Sequence, residues 1–123
     1  MYKKLLVATD GSVTASHALG VGMDVAKAAG AETLILHVGD PKDGKKVLGQ
    51  AEKAHTKSGV TITTMSVSGD PADMISEVAE REGADLIVIG NKGMTGAKRF
   101  LLGSVPNQVS HHAPCNVLIV KTT

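Results

Sequence analysis

The sequence is poor in the residues that would mark several common functions. Its 123 residues include one cysteine, one tyrosine, one phenylalanine and no tryptophan. The lone Cys115 excludes an internal disulfide and fits a reducing compartment. With aromatics at only 2%, Tyr2 and Phe100 cannot make the stacking platform that holds single-stranded nucleic acid. Charge of one sign is also lacking. Thirteen basic residues against 12 acidic leave +1, which points to neither a nucleic acid, a membrane surface nor an acidic tail. No apolar run approaches the ~18 residues that span a bilayer. The run after Lys3-Lys4 stops at Thr9-Asp10, too soon for a secretory leader. The expected location is therefore cytoplasmic, with no membrane or nucleic-acid partner. At this length the chain reads as a single domain over residues 1–123, with no room for a second catalytic one.

What is present is an alternation of apolar strands and amphipathic helices. Leu5-Leu6-Val7-Ala8 is a strand buried on both faces, ending at Thr9-Asp10-Gly11-Ser12. Ala15, Ala18, Leu19, Gly22, Met23, Ala26 and Ala29 recur at helical spacing, with Ser12 or Thr14 as cap and Gly30 as stop. Gly20 and Gly22 lie well inside this helix, so they are not a dinucleotide fingerprint, which belongs in the turn directly after the strand. Thr33 to Val38 is the second strand, followed almost at once by a Lys-rich helix from about Lys42 to Lys57. Val60 to Val67 alternates in polarity, as an edge strand does. Asp70 and Pro71 open a helix that Gly83 ends, Asp85 to Ile89 is the fourth strand, and Asn116 to Val120 the fifth. The expected fold is α/β and Rossmann-like: an open five-stranded parallel sheet with four helices on both faces and right-handed crossovers. If ligands bind where strand order reverses, the order is 3-2-1-4-5.

Function concentrates in Ile89-Gly90-Asn91-Lys92-Gly93 and the Gly103-Ser104 that follows nine residues later. Gly90 and Gly93 remove side chains where the chain leaves a strand, and they permit positive φ. Gly103 and Ser104 open a helix whose first N–H groups and dipole favour an anion, with Pro106 in its first turn. Together they describe either a phosphate cradle or a flexible strand-to-helix connector that needs glycines only for its turns. Lys92, Lys98 and Arg99 supply charge that either neutralises phosphate or is simply solvated. Asp10 either accepts from a ribose hydroxyl, holds a divalent metal, or caps the first helix as a turn residue. Ser104 binds phosphate, caps its helix, or does both. His37 reads as a hydrogen-bonded core residue and Cys115 as a small buried hydrophobe, while His111-His112 lack the partners of a metal site.

The chain resembles the universal stress proteins along its whole length. The resemblance is carried by Asp10-Gly11-Ser12, by Leu36-His37-Val38, and by Gly90-x-x-Gly93, nine residues, Gly103-Ser104, the motif of that family's ATP-binding branch. It implies a nucleotide site made of Ala8, Thr9, Asp10, Val38, Gly90, Asn91, Lys92, Gly93, Gly103, Ser104 and Val105. Within it, Asp10 would lie near ribose or adenine, Val38 against adenine, Gly90 and Gly93 near ribose and α-phosphate, and Gly103-Ser104 at the phosphates. ATP, with or without magnesium, AMP and cyclic AMP all satisfy this pattern. The resemblance also implies a homodimer paired through the last strand and a role in stress response with unnamed protein partners. Adenine coverage is expected to be thin, because the segment after the second strand is short. No Gly-x-x-x-x-Gly-Lys-Ser/Thr loop is present, so any hydrolysis should be slow. The alternatives are an interaction protein of the same fold that binds no nucleotide, and a slow ATPase.

Overall fold

The computed structural model describes residues 1–92 and 102–122. Strands and helices alternate as β1 (Lys4–Ala8), α1 (Val13–Ala29), β2 (Glu32–Val38), α2 (Pro41–Ala54), β3 (Ile62–Val67), α3 (Pro71–Glu82), β4 (Leu86–Gly90), α4 (Ser104–His112) and β5 (Asn116–Val120). All strand pairs are parallel, as the alternation predicts, and the order is β3-β2-β1-β4-β5, the one expected if ligands bind where strand order reverses. Leu6 of β1 sits level with Leu34 of β2 and Ile87 of β4, which centres the first strand in the sheet.

The period of two divides the apolar residues between two layers. Leu6, Ala8, Leu34, Leu36, Ile87 and Ile89 join Ile75, Val78 and Val109 of α3 and α4. Leu5, Val7, Ile35, Leu86 and Val88 join Ala18, Leu19, Met23 and Leu48 of α1 and α2. Right-handed crossovers explain the division. The chain moves from β1 to β3 in one direction and from β4 to β5 in the other, so the two helix pairs fall on opposite faces. Gly22 lets α1 lie close to the sheet, since a Cβ there would come 2.9 Å from Val7 Cγ2.

The predicted helix ends are found where local chemistry fixes them. Ser12 Oγ accepts from Ala15 N–H at 3.1 Å, Asp40 Oδ1 from Lys42 N–H at 2.7 Å, and Asp70 Oδ2 from Asp73 N–H at 3.1 Å. Gly30 and Gly83 end α1 and α3 in the left-handed region, at φ 68° and 72°. Most strand limits differ from expectation by one residue at most, and two boundaries by more. Helix α2 stops at Ala54 rather than Lys57, where Thr56 Oγ1 donates back to the carbonyls of Glu52 and Lys53 and His55 N–H donates to Glu52 C=O. Strand β3 begins at Ile62 rather than Val60, because Gly59 has φ 82° and Val60 N–H donates to Ser58 Oγ.

Candidate functional site

The reversal of strand order leaves a gap between the carboxyl ends of β1 and β4, since α1 carries the chain away on one side and α4 on the other. This gap forms a narrow cleft that opens to solvent. Ala8, Ile75, Ile89 and Val105 give it an apolar lining, and Asp10, Thr14 and Thr122 bring polar groups to it. Few polar groups on an apolar surface is the usual makeup of a small-molecule site.

On one side, the turn after β1 is held by its own residues. Asp10 Oδ1 accepts from Ser12 N–H at 2.9 Å, and Thr9 Oγ1 accepts from Gly11 N–H at 3.2 Å. Gly11 has φ 84°, and Val47 of α2 fills the space where its Cβ would be, at 2.8 Å. Thr9 N–H extends the sheet by donating to Leu36 C=O at 2.9 Å. This geometry aims the Asp10 carboxylate at the cleft with Oδ1 already engaged.

On the other side, the β4–α4 connection is held by distant residues. Asn91 N–H donates to Val120 C=O, and Asn91 C=O accepts from Gly103 N–H, both at 2.9 Å. Asn91 Oδ1 accepts from both the N–H and the hydroxyl of Thr122, at 2.9 and 2.8 Å. A Cβ on Gly103 would come 2.5 Å from Lys92 O, so only glycine allows this approach of backbone to backbone. Gly103 is the N-cap of α4 at φ −61° and makes no side-chain cap hydrogen bond. Ser104 is thus the first helical residue, not the cap. Gly90 also departs from expectation. It closes β4, is not among the glycines of positive φ, and a Cβ there would make only ordinary contacts, 3.6 Å from Thr122 Cγ2 and 3.9 Å from Ala18 Cβ.

Of the residues named from the sequence, Ala8, Asp10, Gly90 and Val105 line the cleft together. Thr9 is 2% exposed and braces the turn behind it. Asn91, Lys92 and Gly103 build the connection, and Ser104 begins α4. Val38 lies in the apolar cluster with Leu36 and Ala72, and is not part of the cleft lining. Gly93, Lys98 and Arg99 fall outside the described residues. Thr14, Ala15, Ile75, Ile89 and Thr122 were not anticipated. Ile89 was readable as the neighbour of Gly90, and Thr14 and Ala15 as the half turn after Asp10. Thr122 carried no local signal, because its partner is 31 residues away.

Outside the cleft, His37 is buried with Nδ1 3.4 Å from Ser66 Oγ, beneath Gly44, whose missing Cβ leaves room for the ring. The Cys115 thiol is pushed up from its ordinary range, first by burial and then by the Asp85 carboxylate, against a smaller lowering from a backbone hydrogen bond at Ile87. Among the described residues no group of three His, Cys, Asp or Glu side chains is placed to hold a metal. No helix among them is long and apolar enough to cross a membrane.

The sequence pattern of the universal stress protein family matches residues 1–121. The chain belongs to the universal stress protein family. The universal stress protein YxiE of Bacillus subtilis is 34% identical over 148 aligned positions, which cover 98% of this chain and 100% of that relative. A universal stress protein of Methanocaldococcus jannaschii is 36% identical over 141 positions, covering 98% of this chain and 83% of its own length. A universal stress protein solved in complex with cAMP superposes with a TM-score of 0.87 at 34% identity, over 99% of this chain and 98% of that one. The parallel sheet and four helices described above are thus the universal stress protein fold.

Proposed function

We propose that this universal stress protein is an adenine-nucleotide-binding regulatory protein of the family's ATP-binding branch, acting as a homodimer in stress response. The carrying observation is the cleft between β1 and β4, where an apolar lining meets one carboxylate and the start of α4. An adenosine group suits the apolar part. Asp10 Oδ2, which has no hydrogen-bond partner among the described residues, can accept from ribose hydroxyls. The start of α4 suits a phosphate, since Gly103 brings no side chain to its first turn and Lys92 stands beside it. The relative solved with cAMP supports the ligand class.

A magnesium ion would come with the triphosphate, which supplies most of its oxygen ligands; Asp10 is the lining carboxylate able to add one. The chain's own residues otherwise bind and orient. Without a Gly-x-x-x-x-Gly-Lys-Ser/Thr loop, occupancy rather than turnover is the signal. For the homodimer, β5 is an edge strand whose Val117, Leu118 and Ile119 stay half-buried in the single chain, a surface that a second copy would cover.

With no tryptophan and one tyrosine, the protein absorbs little near 280 nm, so co-purified adenine would dominate its ultraviolet spectrum. The spectrum of fresh protein, acid release of any ligand, and calorimetry with ATP, AMP and cAMP test the reading. At ligand near 100 times the dissociation constant, stability should rise by roughly 2.7 kcal/mol. No binding by any of the three would overturn it in favour of the interaction protein. Light scattering of Leu118→Lys, with circular dichroism to verify the fold, tests the dimer: an unchanged mass would overturn pairing through β5.

A further inference from the structure

One side chain joins the cleft to the frame of the β4–α4 connection. Thr122, just past β5, lines the cleft. Its N–H and its hydroxyl both donate to Asn91 Oδ1, at 2.9 and 2.8 Å. Asn91 in turn accepts Gly103 N–H on its backbone carbonyl at 2.9 Å. Gly103 then meets the Lys92 carbonyl so closely that no Cβ fits between them. The Thr122 donors are short and the Gly103 contacts are backbone to backbone, so a shift at Asn91 finds little slack to absorb it. Moving Asn91 moves Gly103, and with it the first turn of α4.

We infer that Thr122 is a positioning residue of the nucleotide cleft, its hydroxyl fixing Asn91 and, through Asn91, the place of the α4 start relative to the bound phosphate. The inference rests on the nucleotide reading above. Binding sites lose function when supporting groups let them drift by a fraction of an ångström, so the effect should appear in affinity before it appears in stability. The amide at residue 91 suits this place, because its carbonyl oxygen accepts both donors without setting a negative charge beside the α4 start.

The test compares Thr122→Val, which keeps the branched shape but removes the hydroxyl, with Thr122→Ser, which keeps the donor. Calorimetry with cAMP and with ATP should give Thr122→Val a roughly five- to tenfold weaker affinity, and Thr122→Ser one near wild type. In nucleotide-free Thr122→Val, amide hydrogen exchange should quicken at Gly103 while the amides of β1 and β2 keep their protection. Asn91→Leu should weaken affinity similarly and add little in the double variant, since both remove the same link. Wild-type affinity in Thr122→Val would overturn the inference and leave the nucleotide reading standing. Weakened affinity accompanied by faster exchange throughout the sheet would also overturn it, showing a purely structural role. A wild-type protein that binds no adenine nucleotide would overturn both.

Discussion

Two connections frame the cleft, and they are stabilised in opposite ways. The turn from β1 into α1 is closed by neighbours two or three residues apart: Asp10 holds Ser12, Thr9 holds Gly11, and Ser12 caps Ala15. The connection from β4 into α4 is closed by residues far along the chain, Asn91 meeting Val120, Thr122 and Gly103. The helices reflect the same contrast. α1 has a side-chain cap at Ser12, whereas α4 starts at Gly103 with none. A self-contained turn forms wherever its few residues occur. A connection tied to distant strands forms only in the finished fold, and it brings a helix start to a ligand without a side chain in the way.

The contrast breaks most visibly at Gly103. In Gly103→Val, Cβ meets Lys92 O at 2.5 Å and the Lys92 carbonyl carbon at 2.9 Å, backbone atoms that cannot rotate aside. Overpacking of this kind costs typically 1–3 kcal/mol, so urea unfolding should show a clear loss and calorimetry no nucleotide binding. Gly90→Ala is the matched control, because its nearest neighbour is Thr122 Cγ2 at 3.6 Å. It should fold with under ~1 kcal/mol of change and bind more weakly, its methyl group projecting into the cleft. Equal destabilisation by the two would mean that the glycines serve one purpose. Next in size is Asp10→Asn. It keeps an oxygen for Ser12 N–H and removes the charge beside the ligand, so affinity for ATP should fall about tenfold, or ~1.4 kcal/mol, at unchanged thermal stability. Retained affinity would reduce Asp10 to a turn residue.

The same contrast decides how much could be read from the sequence. The parallel sheet followed from alternating strands and helices, and the strand order from requiring the candidate site segments to meet where that order reverses. Ser12, Asp70, Gly30 and Gly83 were legible as caps, because capping acts within a turn of the chain. The lower end of α2 was not, since Thr56 stops it by bonding back to Glu52 and Lys53 where a lysine-rich helical pattern runs on. At the site, the glycine spacing pointed to the connection but not to the reason for each glycine. Gly90 leaves its part of the cleft lining without a side chain, whereas Gly103 is needed for contact with the Lys92 backbone, a distinction that exists only in three dimensions. Thr122 was invisible for the same reason: its hydrogen bonds join the ends of two neighbouring strands, 31 residues apart in the chain.

Smaller effects sharpen the comparison from its local side. Ser12→Ala should cost ~1 kcal/mol by leaving Ala15 N–H without its acceptor, measured by denaturant unfolding. A neutral result would mean that Asp10 and Thr9 hold that turn unaided. The smallest effect concerns Cys115, whose neighbour Asp85 is itself held by the N–H groups of Lys3 and Lys4, at 2.8 and 3.1 Å. Burial first, and this carboxylate second, keep the thiol protonated to higher pH in the folded chain than in the unfolded one. As pH rises through the thiol range, the unfolded chain therefore releases its proton first. The contribution to stability is complete below that range and is lost as pH climbs through it toward the folded value. Alkylation by iodoacetamide across pH should show a higher midpoint for the native protein than for the protein in urea, and Asp85→Asn should bring the native midpoint part of the way down. Coincident native and urea profiles would mean that the thiol feels neither its burial nor its charged neighbour.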